Sequence, residues 1–218
     1  MDQITIENVL PEVFALEPSA SSRGSGIWLA GRISFSRGCR IVIEAGSGSG
    51  KSSLVSYICG ERHDYRGKIF FDNNDIRKFG IADWCEVRKR HIAMLPQEMR
   101  LFPELSALDN VLIKNRLTGR FSISRILEML AALGLADRIS TPASRLSIGQ
   151  QQRVALVRTI CQPFDFILLD EPVSHLDEEN NLLAAEMIEE AAAAQDAGII
   201  VTSVGNPLAI NYKTLLPL

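Results

Sequence analysis

Short apolar runs alternate with amphipathic stretches over most of the chain, which is the pattern of an α/β fold. Residues 166–169 and 198–202 are continuous apolar runs, as expected for strands that a parallel sheet buries on both faces. β character also marks residues 4–9, 27–35, 40–44, 68–71 and 91–95. We therefore predict a mostly parallel central sheet flanked by helices.

Helical periodicity fills the stretches between these strands. Two predicted helices begin at Ser106 and Ser122, which are good N-caps, and the second ends at Gly134. Two further helices are predicted over residues 51–59, with Gly60 as the C-cap, and over residues 149–161. A last predicted helix has an apolar, inward face made of Leu183, Ala184, Met187, Ile188 and Ala191. Residues 98–150 thus form a mostly helical insert, and residues 17–26, rich in Ser, Gly and Pro, a surface loop.

The segment after the strand 40–44, which we call the phosphate loop, is built from small residues. It reads Ala45, Gly46, Ser47, Gly48, Ser49, Gly50, Lys51, Ser52 and Ser53. Such a loop lets backbone N–H groups converge on phosphate oxygens, and the positive end of the following helix points at the same charge. Lys51 can reach the β- and γ-phosphates of a nucleotide, and Ser52 can place its hydroxyl on Mg²⁺.

The phosphate loop departs from the common pattern at one position. The pattern Gly-x-x-x-x-Gly-Lys-Ser has a glycine where this chain has Ala45, which predicts a slightly altered turn that still binds phosphate. The alternative interpretation is a flexible Gly/Ser linker with a chance lysine. Linkers rarely join a β-branched strand to a helical pattern, which favours phosphate binding.

Two carboxylates follow the apolar run 166–169. Asp170 would hold Mg²⁺, directly or through water. Glu171 lies where a carboxylate can polarise an attacking water. Either residue alone could be a solvated strand end, but two carboxylates downstream of a phosphate loop favour a catalytic pair.

Composition narrows the function classes. The chain has 218 residues, of which 46% are hydrophobic, and a formal net charge of −3. Lys and Arg are scattered without a basic block, so no nucleic-acid groove is predicted. No apolar stretch approaches the roughly 18 residues of a membrane span, and the first residues lack the features of a signal peptide. Because the four cysteines form no Cys-x-x-Cys pair, we expect a cytosolic chain with reduced thiols.

Residues 146–153 read Leu-Ser-Ile-Gly-Gln-Gln-Gln-Arg, and here the chain resembles the ATP-binding subunits of ABC transporters, whose signature is Leu-Ser-Gly-Gly-Gln. The resemblance covers essentially the whole chain. It implies one P-loop NTPase domain over residues 1–218, with a three-layer α/β core, an N-terminal antiparallel β subdomain and an α-helical insert subdomain. It also implies that Ser147, Gly149 and Gln150 face the γ-phosphate of ATP held by a second copy. The local alternative, a helix start capped by Ser147, is compatible with this role.

The resemblance assigns further positions. Gln97 matches the glutamine loop that senses Mg²⁺ and the γ-phosphate, although a lone glutamine is usually only solvent-exposed. Asp177 ends Ser-His-Leu-Asp, which matches the loop that crosses to the partner subunit, and it could also be a plain helix N-cap. Phe14 is the first candidate for stacking adenine and Trp28 the second, with core packing as the alternative for Phe14. Residues 101–111 look like the lipoprotein-release and macrolide-export branch of the family.

Ser203 occupies the position where the family carries a histidine that contacts the γ-phosphate. Serine is shorter and cannot carry a positive charge. The loss of one preorganised electrostatic group typically costs roughly 10²–10³ in rate. We therefore expect ATP binding with slow hydrolysis, because Glu171 is intact. The chain would work either in a heterodimer with a consensus partner or in a slow homodimer.

The predicted function is an ATP-binding and hydrolysing subunit of an ABC-type complex. It would use ATP and Mg²⁺, dimerise around ATP with a second ABC ATP-binding subunit, and drive separate transmembrane subunits from the cytoplasmic face of a membrane. Three alternatives stay open: transmembrane signalling without transport, a catalytically weak nucleotide-binding partner, and an ABC ATPase that acts on nucleic acid or ribosomes. Because membrane subunits set the substrate, the sequence leaves the substrate open.

Overall fold

Two sheets of different type organise the computed structural model, which describes residues 1–16, 25–28 and 30–218. The strands are β1 (Gln3–Pro11), β2 (Ile33–Ser36), β3 (Arg40–Glu44), β4 (Tyr65–Phe71), β5 (Asn74–Asp75), β6 (Ile92–Leu95), β7 (Phe166–Asp170), β8 (Gly198–Ser203) and β9 (Thr214–Pro217). One sheet is antiparallel with the order β2-β1-β4-β5, and the other is parallel with the order β6-β7-β8-β3-β9. The predicted fold class is confirmed.

Helices and the antiparallel sheet cover the parallel sheet on both faces. The α-helices are α1 (Glu12–Leu16), α2 (Lys51–Ile58), α3 (Ile81–Glu86), α4 (Ala107–Asn115), α5 (Ile123–Ala132), α6 (Ile148–Ile160) and α7 (Glu178–Ala193). Successive side chains of a strand point to opposite faces, so β7 contributes to two cores. Ile167 and Leu169 pack with α6 and α7, whereas Phe166 and Leu168 pack with α2 and the antiparallel sheet. The core therefore has three layers.

The predicted helix ends are confirmed where capping residues marked them. The Ser106 hydroxyl accepts a hydrogen bond from the Asp109 N–H at 3.0 Å, which caps α4. Ser122 caps α5 in the same way, and Gly134 follows that helix with a φ of 69°. Gly60 has a φ of 65° at the end of α2, a left-handed conformation that glycine adopts without strain.

Only part of the segment 98–150 is helical. It contains α4, α5, the start of α6 and two single 3₁₀ turns, Ala136–Arg138 and Ala143–Arg145. Residues 98–105 are not helical, and the Asn110 side chain of α4 holds the later part of this segment in another conformation. The buried Asn110 side chain donates to the Phe102 carbonyl at 3.0 Å and accepts from the Phe102 N–H at 2.8 Å. One side-chain amide thus replaces the backbone pairing that a helix would supply.

The predicted strand 27–35 is wrong over most of its length, because only Ile33–Ser36 forms a strand. Ile27 and Trp28 instead lie in a turn, where their N–H groups donate to the Ser25 hydroxyl at 3.0 and 2.7 Å. Both side chains are fully buried. These two residues are therefore apolar because the turn that contains them is buried, and not because they form a strand. The predicted loop 17–26 lies for the most part outside the described residues.

Several short elements were not predicted from the sequence, namely α1, β5, α3 with the π-helical turn Val87–His91, and β9. β9 is an edge strand beside β3, where the missing N–H of Pro217 breaks no internal pairing. Within the described ranges, no helix combines the length and the apolar character needed to cross a bilayer.

Candidate functional site

The phosphate loop joins the C-terminal end of β3 to the first turn of α2. Gly48 and Gly50 have φ angles of 80° and 95°, which other residues rarely adopt. A Cβ on Gly50 would also lie 3.0 Å from the Trp28 ring. Ala45 does not occupy the left-handed region, so the alanine that departs from the common pattern fits this turn without strain.

Backbone donors of the phosphate loop are free to bind a ligand. Within the part of the chain that the structure describes, no N–H of residues 46–53 donates to an acceptor with ordinary hydrogen-bond geometry. A Cβ placed on Gly46 or Gly48 would meet nothing within 4 Å, so the backbone can be approached closely there. Successive unpaired N–H groups at the N-terminus of a helix form an anion-binding concavity. The loop therefore fits a chain of phosphates.

Lys51 is the cation of this loop and is 5% exposed. Its ammonium donates to the carbonyls of Ala45 and Gly46 at 2.8 and 2.9 Å. It also lies 3.9 Å from the Glu171 carboxylate. A buried ammonium is stabilised by such partners, and a phosphate could take their place.

The end of β7 places the two predicted carboxylates. Asp170 is buried and accepts a hydrogen bond from the Thr202 hydroxyl. Glu171 follows with a φ of 50°, which is uncommon for a non-glycine residue. Its N–H donates to the Thr202 carbonyl at 3.2 Å. Thr202 of β8 thus fixes the turn that separates the two carboxylates.

Two adjacent cavities bring most of the predicted site residues together. The larger, of about 330 Å³, is lined by Pro11, Val13, Phe14, Ser47, Gly48, Gly50, Lys51, Ser52, Ser53, Arg62, Gln97 and Glu171. The smaller, of about 100 Å³, is lined by Ser52, Val55, Ser56, Met94, Pro96, Gln97, Glu98, Arg100 and Asp170. Ser52 and Gln97 line both cavities. The larger cavity is lined by the phosphate loop, and we call it the first cavity. The smaller, second cavity is lined by several side chains that carry oxygen donors.

The second cavity suits a hard divalent cation. Ser52, Gln97 and Asp170 offer a hydroxyl, a carboxamide and a carboxylate oxygen, the donors that Mg²⁺ prefers. In the described residues, no group of three or more His, Cys, Asp or Glu side chains forms a metal site. Mg²⁺ usually binds through one or two carboxylates together with substrate phosphates. These residues therefore fit a magnesium ion that arrives with a nucleotide.

The two aromatic candidates for adenine differ in placement. Phe14 lines the larger cavity and is half-buried. Trp28 is 2% exposed, contacts Phe14 edge-to-face, and donates its indole N–H to the Ser49 carbonyl at 3.0 Å. Trp28 therefore supports the phosphate loop from within the core. Of the two candidates, Phe14 is the one whose ring lines the cavity.

The signature residues lie outside both cavities, at the N-terminus of α6. The Ser147 hydroxyl accepts from the Gln150 N–H at 3.3 Å, and the Gln150 side chain accepts from the Ser147 N–H at 2.9 Å. This capping box explains why the helix begins here. A Cβ on Gly149 would lie 2.8 Å from the His175 carbonyl, so the loop before α7 packs directly on this tip.

Asp177 also lies outside the cavities, as the N-cap of α7. Its carboxylate accepts from the backbone and the side-chain N–H groups of Asn180, both at 2.8 Å. These hydrogen bonds lower the pKa of Asp177 from its ordinary value, so it is ionised near neutral pH. The alternative interpretation as an N-cap is confirmed, and nothing in this cap prevents a further contact with a partner.

Ser203 ends β8, between the strand of the phosphate loop and the strand of the carboxylates. It is 2% exposed and lines neither cavity. Its carbonyl accepts from the Ala45 N–H at 3.3 Å, whereas its hydroxyl is buried without a partner among the described residues. The structure therefore places Ser203 beside the site but not on its surface.

Arg62 also lines the larger cavity and was not predicted from the sequence. Its guanidinium donates to the Ser53 hydroxyl at 3.0 Å and pairs with Asp64. It also lies over the Tyr57 ring, with 5.5 Å between the guanidinium carbon and the ring centroid. No sequence motif marks this position, because Arg62 comes close to the phosphate loop only through the turn that follows α2.

Comparisons with known proteins agree with this geometry. The family model described as "ABC transporter" matches residues 31–174. The chain is 33% identical over 169 residues to the lipoprotein-releasing system ATP-binding protein LolD 2 of Rhodopseudomonas palustris, covering 76% of this chain and 73% of that protein. It is 31% identical over 176 residues to the macrolide export ATP-binding/permease protein MacB of Shewanella sp., covering 78% of this chain and 26% of MacB.

Solved structures share the fold. The dimeric structure of a post-hydrolysis state of the ATP-binding cassette MJ0796, bound to ADP and Pi, superposes with a TM-score of 0.74. It is 22% identical in sequence, and the match covers 93% of this chain and 88% of that one. A second dimeric structure of MJ0796, described as a bacterial ABC transporter cassette, matches with a TM-score of 0.73 and 23% identity.

Proposed function

This chain belongs to the ABC transporter family, and we propose that within it the chain is a subunit that binds and hydrolyses ATP to drive separate membrane subunits. One observation carries the proposal. The phosphate loop, Gln97 and the two carboxylates at the end of β7 line two adjoining cavities of this single chain. Few other functions require free backbone donors, a buried lysine and two acids within one concavity.

We propose that the larger cavity holds ATP. The free N–H groups of residues 46–53 would bind the phosphate oxygens, and the Lys51 ammonium would exchange its loop carbonyls for the β- and γ-phosphates. Phe14 would stack on the adenine, because it is the aromatic ring on the cavity wall. Arg62 is a second cation on the same wall and adds to the attraction for the phosphates.

Hydrolysis requires a group that orients water and accepts its proton. Glu171 lines the cavity 3.9 Å from Lys51, and we propose that its carboxylate orients and polarises the attacking water. Ser52, Gln97 and Asp170 would hold Mg²⁺ in the smaller cavity. When bound, that ion neutralises the charge that develops on the phosphate oxygens. Thr202 keeps Asp170 and Glu171 in register through its hydrogen bonds to both.

We propose that the site is completed by a second subunit. Ser147, Gly149, Gln150 and Asp177 line neither cavity of their own chain, so they are free to contact ATP that another chain holds. The tip of α6 offers a helix N-terminus and a small residue, which suits the γ-phosphate. The fold neighbour MJ0796 is described as a dimer. The partner can be a second copy or a sister ATP-binding chain.

We propose that hydrolysis at this chain's own site is slow. The family histidine is replaced by Ser203, whose hydroxyl is buried and outside both cavities. Removal of one preorganised electrostatic group costs roughly 10²–10³ in rate. Because Glu171 is present, the site keeps its general base and retains a basal rate.

We propose that the membrane subunits dock beside Gln97, at the cytoplasmic face of the membrane. A groove of about 290 Å³ lies between α2, β6 and α4. It is lined by Cys59, Glu61, Arg88, Ile92, Met94, Pro96, Arg100, Phe102, Ile113, Lys114, Arg158 and Thr159. Burial lowers the pKa of Lys114 and of Arg158, two cations on the wall of this groove. LolD 2 and MacB are described as parts of release and export systems, and this supports the proposal.

The decisive experiment uses Glu171→Gln, which removes the carboxylate that polarises water. Hydrolysis should fall by about 10²–10³-fold, whereas Mg·ATP should drive the variant into dimers, alone or with a sister chain. Size-exclusion chromatography with and without Mg·ATP measures association. Glu186→Gln, an exposed glutamate of α7, is the matched control. No ATP-dependent association under saturating Mg·ATP would contradict the proposal, and purification from native membranes would identify the bound chains.

A further inference from the structure

Gln152 is a buried polar residue that has no assigned role in the site above. It lies in α6, five residues after the helix N-cap Ser147, and is 2% exposed. A buried carboxamide without hydrogen-bond partners is costly, so its partners show what the side chain does. Its neighbour Gln151 is less buried and donates only to the Leu146 carbonyl next to its own helix, at 3.0 Å.

The Gln152 carboxamide connects α6 with the segment after β7. Its Nε2 donates to the Glu171 carbonyl at 3.1 Å and to the Ser174 hydroxyl at 3.4 Å. Its Oε1 accepts from the His175 N–H at 3.1 Å. One side chain thus holds both the residue that polarises water and the loop that leads to Asp177.

The backbone of Glu171 has an uncommon conformation, which its hydrogen-bond partners stabilise. Its φ of 50° lies in the left-handed region, which a glutamate adopts only when its surroundings hold it there. The Glu171 N–H donates to the Thr202 carbonyl of β8, and the Glu171 carbonyl accepts from the Gln152 side chain of α6. The direction of the carboxylate is therefore set from both sides, by the parallel sheet and by α6.

We propose that Gln152 is a positioning residue, which orients the Glu171 carboxylate according to the position of α6. The inference rests on the proposed function, in which the tip of α6 contacts ATP held by the partner. Ser147 and Gly149 at that tip and Gln152 belong to one rigid helix. Engagement of the partner's γ-phosphate would therefore adjust the attacking-water geometry of this chain's own site, through one carboxamide.

The test compares three variants by steady-state ATP hydrolysis and by ATP-driven association. Gln152→Met keeps the length of the side chain without its hydrogen bonds, and Gln152→Glu keeps an acceptor for His175 but loses the amide donor to Glu171. We expect kcat to fall about 10–100-fold in both, because misorientation of a reacting group has costs of this size. KM for ATP and association should stay near wild type. Gln151→Ala, which removes the neighbouring carboxamide, should leave kcat unchanged.

A double variant separates positioning from a general loss of structure. In the Glu171→Gln background, Gln152→Glu should lower the residual rate no further, because Gln152 acts through the Glu171 carboxylate. An additive loss, or a wild-type kcat in Gln152→Glu, would overturn the inference. A different result would contradict the proposed function itself. In that case the wild-type chain would neither hydrolyse ATP nor form ATP-dependent dimers. Thermal melting identifies any variant that has not folded. If one of the two Gln152 variants does not fold, the kcat of the other tests the inference.

Discussion

The two halves of the proposed nucleotide site differ in how complete they are within one chain. The loop half comprises the phosphate loop, Gln97, Asp170 and Glu171, which line two adjoining cavities. The tip half comprises Ser147, Gly149, Gln150 and Asp177, which are well capped but line neither cavity. A half that already encloses a ligand can bind it alone, whereas an exposed helix tip acts only when another molecule brings the ligand.

This difference separates binding from turnover. Within the loop half, substitution of a phosphate-binding residue should lower the affinity of a single chain for ATP, and substitution of Glu171 should lower only the rate. Substitutions in the tip half should lower association and rate and leave that affinity unchanged. Four substitutions, with their matched controls, test that separation.

Lys51→Ala should remove most of the affinity for ATP. The buried ammonium is the cation nearest to Glu171 and would be the main partner of the β- and γ-phosphates. We expect binding to weaken by about 100-fold or more, or roughly 3 kcal/mol, as measured by equilibrium binding of a fluorescent ATP analogue. Lys68→Ala, which removes an exposed lysine of β4, is the control. An unchanged affinity in Lys51→Ala would show that the loop half is not the binding half.

Gly149→Ala should leave binding intact and abolish association. The added Cβ would lie 2.8 Å from the His175 carbonyl, so the tip of α6 or the loop before α7 must shift. We expect kcat to fall about 100-fold, while the affinity of the single chain for ATP stays near wild type. Chromatography in Mg·ATP and a binding titration measure the two effects. Gly31→Ala is the control, because its Cβ would meet nothing within 4 Å. A parallel loss of affinity would mean that the halves are not separable.

Ser203→His should raise the rate without changing affinity. The imidazole would restore a group that can carry positive charge next to the loop half. Ser203 is buried and lines neither cavity, so this gain requires that the larger ring reach the adjoining cavity. We expect kcat to rise about tenfold or more, measured by phosphate release. Val204→His, at the exposed neighbouring position, should give no gain. Equal rates in both variants would show that the serine does not limit hydrolysis.

Phe14→Ala should weaken ATP binding by a modest factor. Stacking of a base on an aromatic ring contributes about 1–3 kcal/mol, so we expect a loss of roughly tenfold. Phe14→Trp should retain most of the affinity, and Phe102→Ala, which removes an exposed aromatic ring from the groove between α2, β6 and α4, should retain all of it. An equal loss of affinity for a nucleotide and for inorganic triphosphate in Phe14→Ala would assign the ring a structural role instead of a stacking one.

Local signals in the sequence predicted the phosphate loop and the two carboxylates, whereas Gln97 was assigned by resemblance to the family. Glycine and serine spacing, a following lysine and an apolar strand that ends in two acids are constraints between close neighbours in the chain, so they can be seen in a linear sequence. The N-caps at Ser106 and Ser122 were predictable for the same reason. The strand 27–35 was predicted wrongly, because Ile27 and Trp28 are apolar for a packing reason that involves the distant phosphate loop.

Contacts between segments far apart in the chain were not predictable in this way. Gln152 and Glu171 are 19 residues apart, and Arg62 reaches Ser53 only because Gly60 turns the chain back after α2. Phe14 was the first candidate for adenine and Trp28 the second, and only the structure showed that Trp28 is buried while Phe14 lines the cavity. In each case the residue type allowed several roles, and its surroundings selected one.

Sequence alone was sufficient for the α/β fold class, for the phosphate loop and for the two acids at the end of a buried strand, whereas the short elements α1, β5, α3 and β9 were not predicted. Propensity, capping and glycine conformation act over a few residues, so the chain carries them in its local pattern. Only the folded structure showed which half encloses a cavity, which aromatic ring reaches it, and which amide joins Glu171 to α6. These depend on the packing of side chains from distant segments, where burial and hydrogen-bond partners are set by the whole fold.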